Sequence, residues 1–442
     1  MKKSLIIFLF IPNIFFAQNE LSLLDAIKIG MWSNFDIQIS SKNQDINRIN
    51  NNWADAGGLP KVNISVKKEE ALSDQSNNPA SFIQEKLRSS SLNGNANVSW
   101  TLFNGFAIRA NKQKLENLEK ISNNNASLTI ENTIQGIILQ YYNCVLQKER
   151  LELLQKVVNL SKKRLNYERT KYDIGLTTKI DLLQTENAML SDSSNIILQK
   201  LNLKNAVKNL NLTIGKDIYK EWKFLDRIDT NIQIFNYENL KNSTLSDNTN
   251  IKNQFYNIQL TKQDIKLTLA PFYPVVSINS GANFNESTYD IGDLSSTIDN
   301  TGESINYFAN FSINFRIFDG GKLYRKLKSV KVQKEIYELQ FQKIKKEILY
   351  QLSINYDKYN SRITAFSLNQ KAFEIADENL QIASEKKNRG IINSFMLRDI
   401  EIAYISSGIN AQQAAYNLME SKLALLKISG NITKDFNTEG NN

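Results

Sequence analysis

Acid–base chemistry in this chain of 442 residues has no imidazole to work with, because it contains no histidine. Its one cysteine, Cys144, lies inside a helical pattern, so an intramolecular disulfide and a His-rich metal site are both excluded. Carboxylates, amides and hydroxyls remain. Asn104 and Asp319 have the most marked local setting, each directly before a glycine and a long helical pattern. A residue of that type in that place caps the following helix more readily than it binds a ligand. No nucleophile, base and orienting group form a recognisable set, so the chain reads as a non-enzyme with no cofactor and no metal. The formal charge of +9 is scattered as Lys and Glu along helices rather than gathered with aromatics, and nucleic acid is not an expected partner.

The two capping residues sit at two strand-to-helix junctions, and these organise the chain. Before the first, Leu92, Gly94, Ala96, Val98, Trp100 and Leu102 alternate with Asn93, Asn95, Asn97, Ser99 and Thr101. Before the second, Ile305, Tyr307, Ala309, Phe311, Ile313, Phe315 and Ile317 alternate with Asn306, Asn310, Ser312, Asn314 and Arg316, with Phe308 the exception on the polar face. Period two is a strand. One apolar face and one Asn/Ser face suit a wall between lipid and water, although either stretch alone also fits a half-buried soluble strand. Trp100, Tyr307, Phe311 and Phe315 are candidates for anchoring at a membrane interface.

Only 5 Pro and 17 Gly punctuate the chain, which predicts long elements. Residues 1–17 read as a signal peptide, with Lys2-Lys3, an apolar run and Ala17. Repeat 1 covers 18–215: a helical pattern over 21–56, strands at about 61–70 and 92–103 with a loop between, a helix over 106–172 roughly 100 Å long at the α-helical rise, and a return helix over 180–214. A polar connector covers 216–245, and repeat 2 covers 246–430 with strands at about 275–285 and 305–318, a polar loop over 286–303, a long helix and a return helix. A polar tail covers 431–442. Pro60 and Pro274 are 214 residues apart; Gly105 and Gly320, Gly175 and Gly390, and Gly215 and Gly430 are each 215 apart. One unit has been duplicated.

Two units supply four strands, too few to close a barrel, and an open edge in lipid strands its backbone groups. The barrel must be completed by copies of the chain: two copies give eight strands, three give twelve. Leu59-Pro60, Thr101-Leu102-Phe103-Asn104-Gly105, Ile317-Phe318-Asp319-Gly320-Gly321, and Tyr172-Asp173-Ile174-Gly175-Leu176 followed by Asp181-Leu182-Leu183 resemble the TolC family of outer-membrane efflux proteins over essentially the whole mature chain.

The resemblance implies a mainly α chain with membrane strands, three copies of which form a twelve-stranded outer-membrane β-barrel continued by a periplasmic α-helical barrel. It implies a homotrimer in outer-membrane lipid of a Gram-negative bacterium, working with a periplasmic adaptor (membrane fusion protein) and an inner-membrane pump. The chain would be the passive exit duct of a tripartite efflux or type I secretion system. In the family the turns at Gly175 and Gly390 lie at the periplasmic tip, so Asp173, Gly175, Leu176, Arg389, Gly390 and Ile391 are expected to dock the adaptor. Family constriction positions map to Met396 and Asp399, and Asp181 maps to an acid that ties the first tip hairpin to the second. The Tyr and Arg partners of that acid become Lys387 and Ile392, which leaves Arg389 or Arg398 to substitute. The alternative is a structural or adhesive coiled-coil cell-surface protein.

Overall fold

The computed structural model describes residues 20–291 and 301–433. The signal peptide read at 1–17, most of the tail read at 431–442 and residues 292–300 of the loop read at 286–303 lie outside the described residues. In chain order the elements are β1 (Glu20–Leu21), α1 (Leu23–Ser33), α2 (Phe35–Asn50), β2 (Lys61–Asp74), β3 (Lys86–Asn104), α3 (Ala107–Asp173), α4 (Lys179–Thr213), β4 (Lys223–Phe224), α5 (Tyr237–Asp247), α6 (Thr249–Leu269), β5 (Val275–Ile291), β6 (Thr301–Asn314), α7 (Lys322–Asn388) and α8 (Ser394–Ile428).

The duplication extends to single hydrogen bonds. α3 and α7 have 67 residues each, and α4 and α8 have 35 each. Asn34, between α1 and α2, donates its side-chain amide to Thr213 O at 2.9 Å; Asn248, between α5 and α6, donates to Ile428 O at 3.0 Å. Two sequence readings are corrected by this symmetry. The helical pattern over 21–56 is two helices broken at Asn34, and residues 216–245 are not one connector, because α5 begins at Tyr237 as the counterpart of α1. α5 escaped notice because it buries only Leu240 and Thr244, too little for an apolar stripe.

The described chain divides into two units. One comprises residues up to Ser41, Asn125–Ile251 and from Ile344 onward; the other comprises Lys42–Asn124 and Lys252–Lys343. In the first, Ile137, Ile138, Tyr141, Leu210 and Ile214 are fully buried. The Tyr141 hydroxyl lies 2.7 Å from Asp226 Oδ2 and 2.9 Å from Leu21 O, docking the parallel pair of β1 and β4. Burial, then the Asp226 hydrogen bond, push that phenol well above its ordinary range. Cys144 is buried here as well, its thiol pushed up to about 12 by burial, so it is held as an inert thiol.

The second unit carries an antiparallel sheet in the order β2-β3-β5-β6. Register places Val62 beside Val98, Trp100 beside Ile278 and Ile278 beside Phe311 on one face. On the other, Asn95, Asn283 and Asn306 form a row, with the Asn95 amide donating to Asn283. Phe308 breaks the polar face because it sits opposite Gly281, where a Cβ would meet Phe308 Cζ at 3.1 Å.

Strand limits differ from the sequence reading at both ends. The ladder continues through Asp74↔Lys86 and Thr288↔Thr301, so polar segments read as loops are paired strand. Pairing needs backbone partners rather than an apolar face. Conversely, β6 stops at Asn314, because its partner β5 begins opposite it at Val275, directly after Pro274. Phe315 therefore lies just beyond the strand. Among the described residues, no helix is long and apolar enough to cross a membrane.

Candidate functional site

α3 and α7 end in the same backbone device. Gly175 N–H donates to Tyr172 O at 3.0 Å and Leu176 N–H to Lys171 O at 2.8 Å; Gly390 N–H donates to Lys387 O and Ile391 N–H to Lys386 O, both at 2.9 Å. Both glycines are left-handed, φ +76° and +75°, which this cap demands. The cap reverses the chain in five residues at each turn and leaves Asp173, Ile174, Leu176, Arg389 and Ile391 exposed beside the glycines. Apolar side chains at both turns, Ile174 at 64%, Leu176 at 68% and Ile391 at 65% exposure, are costly to leave in water.

The starts of α4 and α8 are alike in place and different in chemistry. Asp181 accepts from Thr178 N at 3.2 Å and from its hydroxyl at 2.7 Å, while Asp181 N donates back to the hydroxyl at 3.2 Å, a closed capping box. These hydrogen bonds hold its carboxyl below the usual range. The carboxylate read as a tie to the second hairpin is thus engaged with Thr177 and Thr178 of its own turn. Met396, at the matching position of α8, supplies only its N–H, to Asn393 Oδ1 at 2.9 Å, and its side chain is exposed. Asp399 is exposed one turn further on.

Buried ion pairs that the sequence reading did not anticipate join the two hairpins. Arg164 on α3 is paired with Glu401 on α8, at 5% and 1% exposure. Arg398 reaches the same Glu401 and donates two bonds to Asp192 on α4, at 2.7 and 2.8 Å, while Ser161 also donates to Asp192. Nearer the turns, Glu168 accepts from Lys387 at 3.1 Å and from Ser394, and the Lys387 ammonium lies 5.1 Å from the Tyr167 ring centroid.

Lys387 and Arg398 therefore hold the hairpins together with Glu168 and Asp192 as partners, whereas Arg389 is exposed. Burial pushes the Glu401 carboxyl up despite Arg164 and Arg398. At Glu168 burial acts the same way, but bonds from Ser394 and Lys387 outweigh it and hold the carboxyl below its ordinary value. The signal was present in spacing: Leu153, Val157, Ser161, Arg164 and Glu168 are all buried, so polar residues continue an apolar stripe.

The arrangement is two capped hairpins, bolted by charge, with exposed apolar residues at their ends.

The family model described as outer membrane efflux protein matches residues 32–216 and 240–431. The Campylobacter jejuni CmeC outer membrane channel matches with a TM-score of 0.76 at 16% identity, over 95% of this chain and 89% of that one. The Neisseria gonorrhoeae MtrE outer membrane channel in its open state matches with a TM-score of 0.72 at 16% identity, over 92% and 88%. The Vibrio cholerae outer membrane protein VceC matches with a TM-score of 0.70 at 13% identity, over 92% and 96%. No curated protein sequence matches this chain.

Proposed function

This chain belongs to the outer membrane efflux protein family, and from that premise we propose that three copies of it close one channel, the exit duct through which a periplasmic adaptor and an inner-membrane pump discharge their substrate. The chain is an outer-membrane efflux channel protein of a Gram-negative bacterium. The observation that carries the trimer is the four-stranded sheet with an apolar face, an amide-lined face and two outer strands, β2 and β6, that each pair on one side only within the described chain. Backbone groups left open in lipid cost several kcal/mol each, so the edges must meet other copies. Three copies give twelve strands, enough to leave a lumen.

In this reading Trp100, Tyr307, Phe311 and Phe315 meet the membrane interface. The exposed apolar residues around Gly175 and Gly390, with Asp173 and Arg389, receive the adaptor, and Asp399 and Met396 border the constriction. Asp181 serves there through the turn it caps. An adhesive coiled-coil protein would use the long helices but has no use for such a sheet.

Fractionation tests the reading. The mature chain should stay in the outer-membrane pellet through salt and carbonate washes and be released by detergent. Release without detergent would contradict it.

A further inference from the structure

Phe106 is the one non-glycine residue with a left-handed backbone among the described residues, at φ +67°. The duplicated junction shows what an unconstrained solution looks like: the positions matching Gly105 and Phe106 are Gly320 and Gly321, at φ +69° and +74°. The first junction keeps a phenyl ring where the second keeps glycine, so the ring itself is retained in a disfavoured backbone conformation. It is half-exposed, and it stacks edge-on against Phe103 at 5.2 Å and Tyr273 at 5.9 Å between centroids.

Two hollows of about 310 and 340 Å³ adjoin at this ring, sharing Phe106 and Arg109. Trp53, Trp100 and Phe103 line the first. The Trp100 indole is fixed by its N–H donating to Gly58 O at 3.0 Å, and its strand register puts it on the apolar face of the sheet. Lys266 and Tyr273 line the second. No acidic side chain lines either hollow among the described residues. Arg109 is exposed and makes no hydrogen bond or ion pair there, and Lys266 spends its ammonium on the neutral Gln113 amide at 3.0 Å. Two uncompensated cations therefore stand beside an aromatic cleft at the end of a lipid-facing strand.

We propose that these hollows form a binding site for one anionic phospholipid, its phosphate held between Arg109 and Lys266 and an acyl chain laid across Phe106 and Trp100 toward the sheet. Basic pockets at a membrane boundary favour anionic headgroups, and aromatic rings favour the depth where headgroup meets chain. The choice of an anionic lipid over a zwitterionic one follows from the two cations without a carboxylate; the choice of a lipid over a free anion follows from the rings. The second repeat lacks the site, having Gly321 for Phe106 and Tyr324 for Arg109, so each chain carries one. The inference rests on the outer-membrane reading above.

Native mass spectrometry of the detergent-solubilised assembly, titrated with phosphatidylglycerol, phosphatidylethanolamine or inorganic phosphate, tests it. Wild type should retain phosphatidylglycerol in preference to phosphatidylethanolamine. The Arg109→Gln/Lys266→Gln variant should weaken phosphatidylglycerol on the order of thirtyfold, two surface charges' worth, and weaken phosphatidylethanolamine, whose ammonium offsets its phosphate, much less. Phe106→Gly, which relieves the backbone, should keep or raise thermal stability while still weakening the lipid; a purely structural phenyl would leave lipid binding alone. Equal retention of phosphatidylglycerol by wild type and both variants would overturn the proposal. So would inorganic phosphate binding as tightly as the lipid, or a charge variant that falls apart into single chains with its lipid affinity unchanged, which would mean a neighbouring copy covers the hollow. Release of wild type from membranes without detergent would overturn the outer-membrane reading itself, whereas an intact assembly with indifferent lipid binding would overturn the lipid site alone.

Discussion

Glu168 and Glu401 occupy the same four helices under opposite electrostatic conditions. Glu401 is pushed up by burial, so as pH falls it takes a proton in the folded chain before it would in the unfolded one. Glu168 is held down, so its contribution is complete above its ordinary value of 4.5 and is lost as pH falls through the lower, folded value. Amide exchange around residues 387–394, corrected for intrinsic rate, should accelerate below pH 4.5 in wild type and much less in Glu168→Gln; identical pH profiles would refute the assignment. Asp399 differs from both in being exposed. If three copies face a narrow opening, Asp399→Ala should weaken block of single-channel current by periplasmic-side polyvalent cations by about fivefold or more, since even one lost contact in water is worth about 1 kcal/mol. The exposed Glu378 is the control, and equal block in wild type and Asp399→Ala would place the constriction elsewhere, with Met396 next. At this scale the sequence revealed least. Asp181 and Asp399 were legible as acids near glycines, but the pairing of Arg164 with Glu401 spans 237 residues and no local pattern announces it.

Elements were legible where breakers and periodicity act locally. Gly175 and Gly390 stop α3 and α7 because a left-handed residue closes the helix, and the Asn/apolar alternation marked the middle of β3 and β6. The strand ends were hidden, because Ala71 to Asp74 and Lys86 to Ser91 pair through their backbones without an alternation of apolar and polar residues. Gly281 shows how tightly the sheet is drawn: a Cβ there would lie 2.2 Å from Ala96 O and 3.0 Å from Asn97 Cα. Gly281→Val should therefore cost about 1–3 kcal/mol of overpacking and lower the temperature at which the assembled particle dissociates on heated gels. Unchanged heat resistance would show that β3 and β5 can part at no cost.

The whole molecule was legible through its duplication, since four breaker pairs at a nearly constant offset give the order of helices and strands from the sequence alone. What the single chain leaves open is closure: β2 exposes Val62 and Ile64 at 68% and 77%, and β6 exposes Tyr307 at 81%. Surfaces of that kind belong against lipid or another copy. The mass of the detergent-solubilised particle, with bound detergent subtracted by combined light scattering, absorbance and refractometry, tests this most directly. Three chains per particle is the expected result, and a stable particle of one or two chains would contradict the twelve-stranded channel.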